Sequence, residues 1–205
     1  MRLRPSRKKA DLGGFEPMYR GGRPPWDIGR AQSAFVELEE KGKIRGSVLD
    51  VGCGTGELVL FLASRGHESW GVDGAPTAIA AARAKARERG IKAEFVLGSV
   101  FDLEWLGGTF GTVVDSGLFH TVTDKQRVAL ERSLKAVLRP GGDYFMMCFS
   151  EHEPMEWGPR RVTQAEIRAA FTEGWEVRSI EASRFEDSIH RGGARAWLAH
   201  LSRVG

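Results

Sequence analysis

Residues 48–56 read Val48-Leu49-Asp50-Val51-Gly52-Cys53-Gly54-Thr55-Gly56. Residues 47–51 form a short apolar run that predicts a strand, and the glycines follow at once. Residues 57–65 then place Leu58, Phe61 and Leu62 on one helical face, and Gly66 stops that helix. A strand, a glycine-rich turn and a helix in this order present the unpaired N–H groups of the helix start to a ligand. Glycines let the backbone turn tightly and come close to that ligand. In open α/β sheets the ligand sits beyond the carboxyl ends of the strands. Asp73 ends the second predicted strand, so its carboxylate is placed to accept from both hydroxyls of a ribose. These features fit any nucleoside-containing cofactor. The spacing narrows the choice, because dinucleotide folds carry G-x-G-x-x-G, whereas here the glycines stand at 52, 54 and 56 behind Asp50.

Outward from this unit, the pattern alternates. Strands are expected at residues 69–72, 93–97, 112–115 and 143–149, with helices at 76–89 and 125–138 between them. Asp27 is placed to cap a helix running to Lys41, and Arg139-Pro140-Gly141-Gly142 makes a sharp turn into the fifth strand. A helix near 163–171 and two last strands at 175–185 and 194–203 complete the chain. Alternation of this kind predicts an α/β fold with a mostly parallel sheet covered by helices on both faces. The closing strand, loop, strand without a helix predicts an antiparallel hairpin at one edge.

The 205 residues suit one domain, and no apolar run approaches the ~20 residues that cross a bilayer. A cytoplasmic location is the default expectation, with no membrane partner. Cys53 and Cys148 are not in a CxxC pair, so no metal site is expected. The net charge of +3 is uneven. Arg2, Arg4, Arg7, Lys8 and Lys9 carry +5 in the first ten residues, which leaves −2 for the rest. Residues 1–12 read as a flexible basic tail before a single domain at 13–205. With a slightly acidic body and no basic stripe, nucleic acid is not the expected partner.

With Asp50, the glycine triplet, Asp73 and the later Leu138-Arg139-Pro140-Gly141-Gly142 together, residues 26–203 resemble the class I S-adenosylmethionine-dependent methyltransferases, with their Rossmann-like fold. The resemblance implies a seven-stranded sheet whose last strand is antiparallel. It implies that Asp50, Gly52, Gly54 and Gly56 hold the methionine end of S-adenosylmethionine. Asp73 and Gly74 then take the ribose, and Ser99, Val100 and Phe101 border the adenine. Asp115 and the residues after it line the sulfonium, where S-adenosylhomocysteine is left as product. Pro24-Pro25-Trp26-Asp27 resembles the thiopurine, thiol and halide branch and the methyltransferases of small phenolic heterocycles. There, an N-terminal aromatic segment folds over the cofactor, which implies a lid at residues 13–30 with Trp26 against the cofactor.

Methyl transfer to a phenol, thiol or amine is helped by a base whose pKa lies near working pH, which favours histidine. His120, after the fourth strand, is the first catalytic candidate, and His152 the second. Tyr19, Phe119, Met155 and Trp157 are expected to wall the acceptor, a small and flat molecule. The loop at residues 183–193 is a further candidate for closing the cleft. Three alternatives stand beside this reading: a thiol, halide or metalloid acceptor that needs no base, an RNA or DNA acceptor engaged by the basic tail, and a binding or regulatory protein that keeps the cofactor fold without catalysis. The sequence does not fix the oligomeric state.

Overall fold

A computed structural model of the chain describes residues 14–154 and 158–205. The basic tail, the first residue of the expected lid, and the acceptor candidates Met155 and Trp157 lie outside the described residues. The strands are β1 (Val48–Val51), β2 (Ser69–Asp73), β3 (Glu94–Leu97), β4 (Phe110–Ser116), β5 (Leu138–Phe149), β6 (Trp175–Phe185) and β7 (Ala194–Arg203). They form one seven-stranded sheet in the order β3-β2-β1-β4-β5-β7-β6. β1 to β5 pair in parallel, while β7 runs antiparallel to both β5 and β6. The Rossmann-like architecture and antiparallel last strand are therefore as the sequence led us to expect. Strand order reverses between β1 and β4, and the crevice at their carboxyl ends is where such sheets bind ligands.

The helices are α1 (Glu16–Arg20), α2 (Ser33–Glu40), α3 (Glu57–Ser64), α4 (Pro76–Glu88), α5 (Asp124–Val137) and α6 (Gln164–Ala170). Strand residues alternate between the two faces of the sheet. Leu49, Val51, Val113, Tyr144 and Met146 pack with Leu130 and Leu134 of α5 and Ile167 of α6. Their neighbours Val48, Val114, Phe145 and Met147 pack on the other face with Phe35 of α2 and Leu58 and Leu62 of α3. Each such side chain removed from water contributes about 1.5–3 kcal/mol, so this two-sided burial holds the layers together. Both α5 and α6 open on a capping box, Thr123 with Gln126 and Thr163 with Glu166. The hydroxyl and the side-chain carbonyl or carboxylate satisfy N–H groups that would otherwise lack a partner.

Two elements differ from the sequence expectation. The helix expected from Asp27 begins only at Ser33. Asp27 instead accepts hydrogen bonds from the Gly29 N–H and the Thr55 hydroxyl, and Gly29 lies at φ +75° and breaks a helical run. The turn at 139–142 is absorbed into the start of β5, whose pairing with β4 is irregular between Phe110 and Thr112. Helix α1 has no counterpart in the periodicity, because its five residues are too few to show one.

Candidate active site

Gly52, Gly54 and Gly56 all adopt positive φ, at +75°, +52° and +82°. A β-carbon on Gly56 would stand 2.6 Å from the Phe95 ring and 2.9 Å from Ala82, so this glycine sets the close approach of α3 to α4 and β3. Cys53 turns inward, with its Sγ against Gly71, and burial pushes its thiol well above the usual range. That inert thiol supports the loop from beneath.

Three carboxyl groups lie under this end of the sheet. Asp73 accepts from the Gly54 N–H at 2.8 Å and from the Ala75 N–H at 2.7 Å. It ties the glycine loop to the start of α4, and each oxygen keeps a second acceptor position for a ribose hydroxyl. Asp50 lines the crevice while almost wholly buried. Its Oδ1 has no hydrogen-bond partner among the described residues. Burial, then the charges of Asp115 and Asp73, raise its pKa well above the carboxylate range. A buried carboxyl without a donor, facing a cavity, calls for a cationic ligand. The α-ammonium group of S-adenosylmethionine supplies such a donor, so the residues present fit this cofactor.

One cavity of about 1020 Å³ runs from this loop past the ends of β4 and β5. Trp26, Asp50, Gly52, Gly54, Gly56, Asp73, Gly74, Ser99, Val100 and Phe101 all line it, as does Tyr19. The Ser99 hydroxyl accepts from the Phe101 N–H at 3.2 Å, so it shapes the turn after β3. The 14–30 segment roofs the glycine end. Trp26 donates to the Tyr19 hydroxyl at 3.0 Å, and Glu16 accepts from the N–H and hydroxyl of Thr77 at the start of α4. On the far side, Gln32 exchanges two hydrogen bonds of 2.8 Å with the Glu186 backbone, and Arg30 pairs with the Glu186 carboxylate. The loop between β6 and β7 is thereby clamped to the start of α2, and Asp187, Ile189 and His190 join the cavity wall.

His120 lines the same cavity although only 5% of its surface is exposed. Its Nδ1 accepts from the Phe149 N–H at 2.9 Å, and its ring packs against Phe149 and Phe185. Burial, helped by the nearby Arg161 charge, brings its pKa down to about 3.

Three expected site residues lie elsewhere. Asp115 shares the strand face of Val113, so it points under α5 and α6 rather than into the cavity. There it accepts from Leu118, Phe119 and the Tyr144 hydroxyl, which holds the loop after β4 in shape. Phe119 is fully buried against Phe171 and beneath the Arg127 guanidinium, as part of the core. His152 is exposed, edge-on to Trp197, and does not line the cavity. The loop at residues 183–193, expected as a further candidate for closing the cleft, supplies Asp187 and His190 to the cavity wall. Thr55 was missed as the tether of Asp27, because their contact spans 28 residues.

A model of the methyltransferase domain family matches residues 48–142. The chain is 37% identical over 194 residues to a 2-heptyl-1-hydroxyquinolin-4(1H)-one methyltransferase of Mycobacteroides abscessus, covering 88% of this chain and 86% of the relative. It is 27% identical over 179 residues to probable thiol methyltransferase 2 of Arabidopsis thaliana, covering 82% and 76%. A solved structure from work on conversion of a disulfide bond into a thioacetal group in echinomycin biosynthesis matches with a TM-score of 0.84 and 36% identity, over 93% of this chain and 91% of that one. Magnesium protoporphyrin IX methyltransferase of Synechocystis PCC 6803 with bound S-adenosylmethionine shares the fold at a TM-score of 0.64 and 21% identity, over 83% and 76%.

Proposed function

This chain belongs to the class I S-adenosylmethionine-dependent methyltransferases, and within that family we propose that it methylates an O, S or N nucleophile of a small aromatic or heterocyclic acceptor. The observation that carries this reading is the continuity of one cavity from the glycine loop into an apolar chamber. Pro25, Ile28, Phe149, Phe185 and Ile189 are among the residues that line it. A flat, apolar acceptor suits such walls. The hydroxyquinolone named for the M. abscessus relative is a compound of this kind.

When bound, S-adenosylmethionine supplies a methyl group made electrophilic by its sulfonium. Asp50 and the glycine loop hold its amino-acid end, Asp73 its ribose, and Ser99 to Phe101 its base. The chain's remaining task is to aim the acceptor along the line of displacement, which is an orientation effect. Trp26 and Tyr19 act as a lid. They exclude water from a reaction between a cation and an electron-rich acceptor, which strengthens their attraction, and an aromatic face also attracts a sulfonium.

An acceptor screen with labelled methyl donor, covering phenols, hydroxyquinolines, thiols and iodide, tests the reading. Transfer to hydroxylated aromatics is the expected result. Transfer to iodide alone overturns it. A thiol acceptor is the second reading, supported by the A. thaliana relative, and the same screen separates the two.

A further inference from the structure

Methylation of a hydroxyl or thiol must dispose of a proton, and two imidazoles stand at the acceptor end of the cavity, His120 and His190. Their surroundings differ. The Nδ1 of His190 donates to Asp187 at 2.6 Å. The Nδ1 of His120 does the opposite, because its partner is a backbone N–H, the Phe149 amide at 2.9 Å, which can only donate. That hydrogen bond uses the one lone pair of a neutral imidazole and leaves the ring proton on Nε2. Among the described residues no side chain or backbone atom is bonded to that Nε2, and the ring borders the cavity.

We propose that His120 is not a base but a fixed hydrogen-bond donor, whose Nε2–H binds the ionised oxygen or sulfur of the acceptor and so selects acceptors that reach the site as anions. The inference rests on the small-acceptor reading above and adds the charge state of the acceptor. The ring has no room to take a proton. Phe149 and Phe185 flank it, and Arg161 opposes a second positive charge there. The acidic groups on neighbouring elements are already engaged. Asp115 of β4 is held by Leu118, Phe119 and Tyr144. Asp187 accepts from His190, which meets Phe149 edge-on. Glu153 accepts from the Arg195 N–H.

The balance of the step is simple. The acceptor gives its proton to solvent before transfer. An acceptor lone pair then forms the bond to the methyl carbon as the carbon–sulfur bond breaks toward sulfur, so an anion and a cation leave as two neutral molecules. One Nε2–H engages one lone pair of the anion and leaves another for attack.

Three measurements test this. In histidine-labelled protein without ligand, nitrogen NMR is expected to show one imidazole, absent in His120→Gln, that stays neutral with its proton on Nε2 from about pH 5 to about 9. The ascending limb of kcat/KM against pH is expected to move with the acceptor when two acceptors about two pKa units apart are compared. His120→Leu is expected to lose about 10- to 100-fold in kcat/KM, the worth of a hydrogen bond to a charged group. His120→Gln, whose amide can accept from Phe149 and donate to the acceptor, is expected to stay within several-fold of wild type. A proton on Nδ1, titration of the ring in that range, or a limb fixed near about pH 6.5 for both acceptors overturns the proposal, and loss of that fixed limb in His190→Gln would move the proton to His190. If His120→Leu fails to fold, the tautomer and the moving limb still decide. Transfer to no hydroxyl or thiol acceptor at all overturns the functional reading, and a fixed limb with transfer intact overturns only this inference.

Discussion

The Tyr19 hydroxyl, held by the Trp26 indole N–H at 3.0 Å, stands 2.7 Å from where a β-carbon on Gly54 would lie. The N-terminal segment and the cofactor loop therefore touch at a glycine where any side chain would have to displace the Tyr19 hydroxyl. Gly54→Ala is expected to push Tyr19 away and to strain a residue at φ +52°. Proteolysis near residue 20 should speed up, and S-adenosylhomocysteine binding should weaken, by calorimetry. Unchanged proteolysis and binding would show that the roof does not depend on this contact.

Asp73 holds two backbone N–H groups and, in the proposed function, the ribose, and its removal should cost both. Asp73→Ala leaves the Gly54 and Ala75 N–H groups without their acceptor. The ligand-free protein is expected to lose about 1–3 kcal/mol of stability, measured by urea unfolding. Cofactor affinity should fall by about 1–3 kcal/mol as well, measured by calorimetry. Loss of affinity with stability intact would mean that the two backbone bonds are replaced by water.

Asp115 makes stability depend on pH. Burial raises its pKa to about 7, despite the Leu118 N–H and the Tyr144 hydroxyl that favour the ion. The folded state then holds a proton that the unfolded state releases near its ordinary value. Its contribution is full below about pH 4 and is lost as pH rises through about 7. The urea midpoint of wild type should fall relative to that of Asp115→Asn as pH rises across this range, because only the wild-type side chain titrates. A wild-type midpoint that rises relative to Asp115→Asn would reverse the sign of the linkage.

Gln32 and Glu186 clamp the loop between β6 and β7. Arg30 holds the Glu186 carboxyl at about 2, well below its ordinary range. This ion pair is largely exposed, so salt should weaken it and its worth is small. The two backbone bonds of Gln32 are better shielded. Gln32→Ala should therefore raise hydrogen exchange at residues 186–193 more than Glu186→Gln does, and only the effect of Glu186→Gln should fade in high salt. The reverse order would place the clamp in the ion pair.

Much of this protein was legible from local pattern. Residues 175–185 and 194–203 read as strands and are β6 and β7 to the residue. Asp50, Asp73 and the three glycines read as a cofactor loop, because phosphate-free nucleoside sites reuse the same strand, turn and helix geometry. The family resemblance implied a lid at residues 13–30 with Trp26 against the cofactor and Tyr19 on the acceptor wall, and both rings line the cavity. Asp115, Phe119 and His152 were less legible. Their neighbourhood in the chain is right, but the face Asp115 takes depends on strand parity, and the placing of Phe119 and His152, which lie outside the strands, depends on partners far away. A one-residue change of parity moves a strand side chain from one face to the other.

The sequence by itself determined the alternation of elements, the cofactor loop and the family, because backbone conformation and hydrophobic period are set over a few residues. Only the tertiary structure decided which nitrogen of His120 is occupied. The amide that takes its Nδ1 belongs to Phe149, 29 positions on, and the rings that exclude a second proton come from β5 and β6. A histidine's role follows from which nitrogen is occupied and how dry its surroundings are, and both are properties of the packed site.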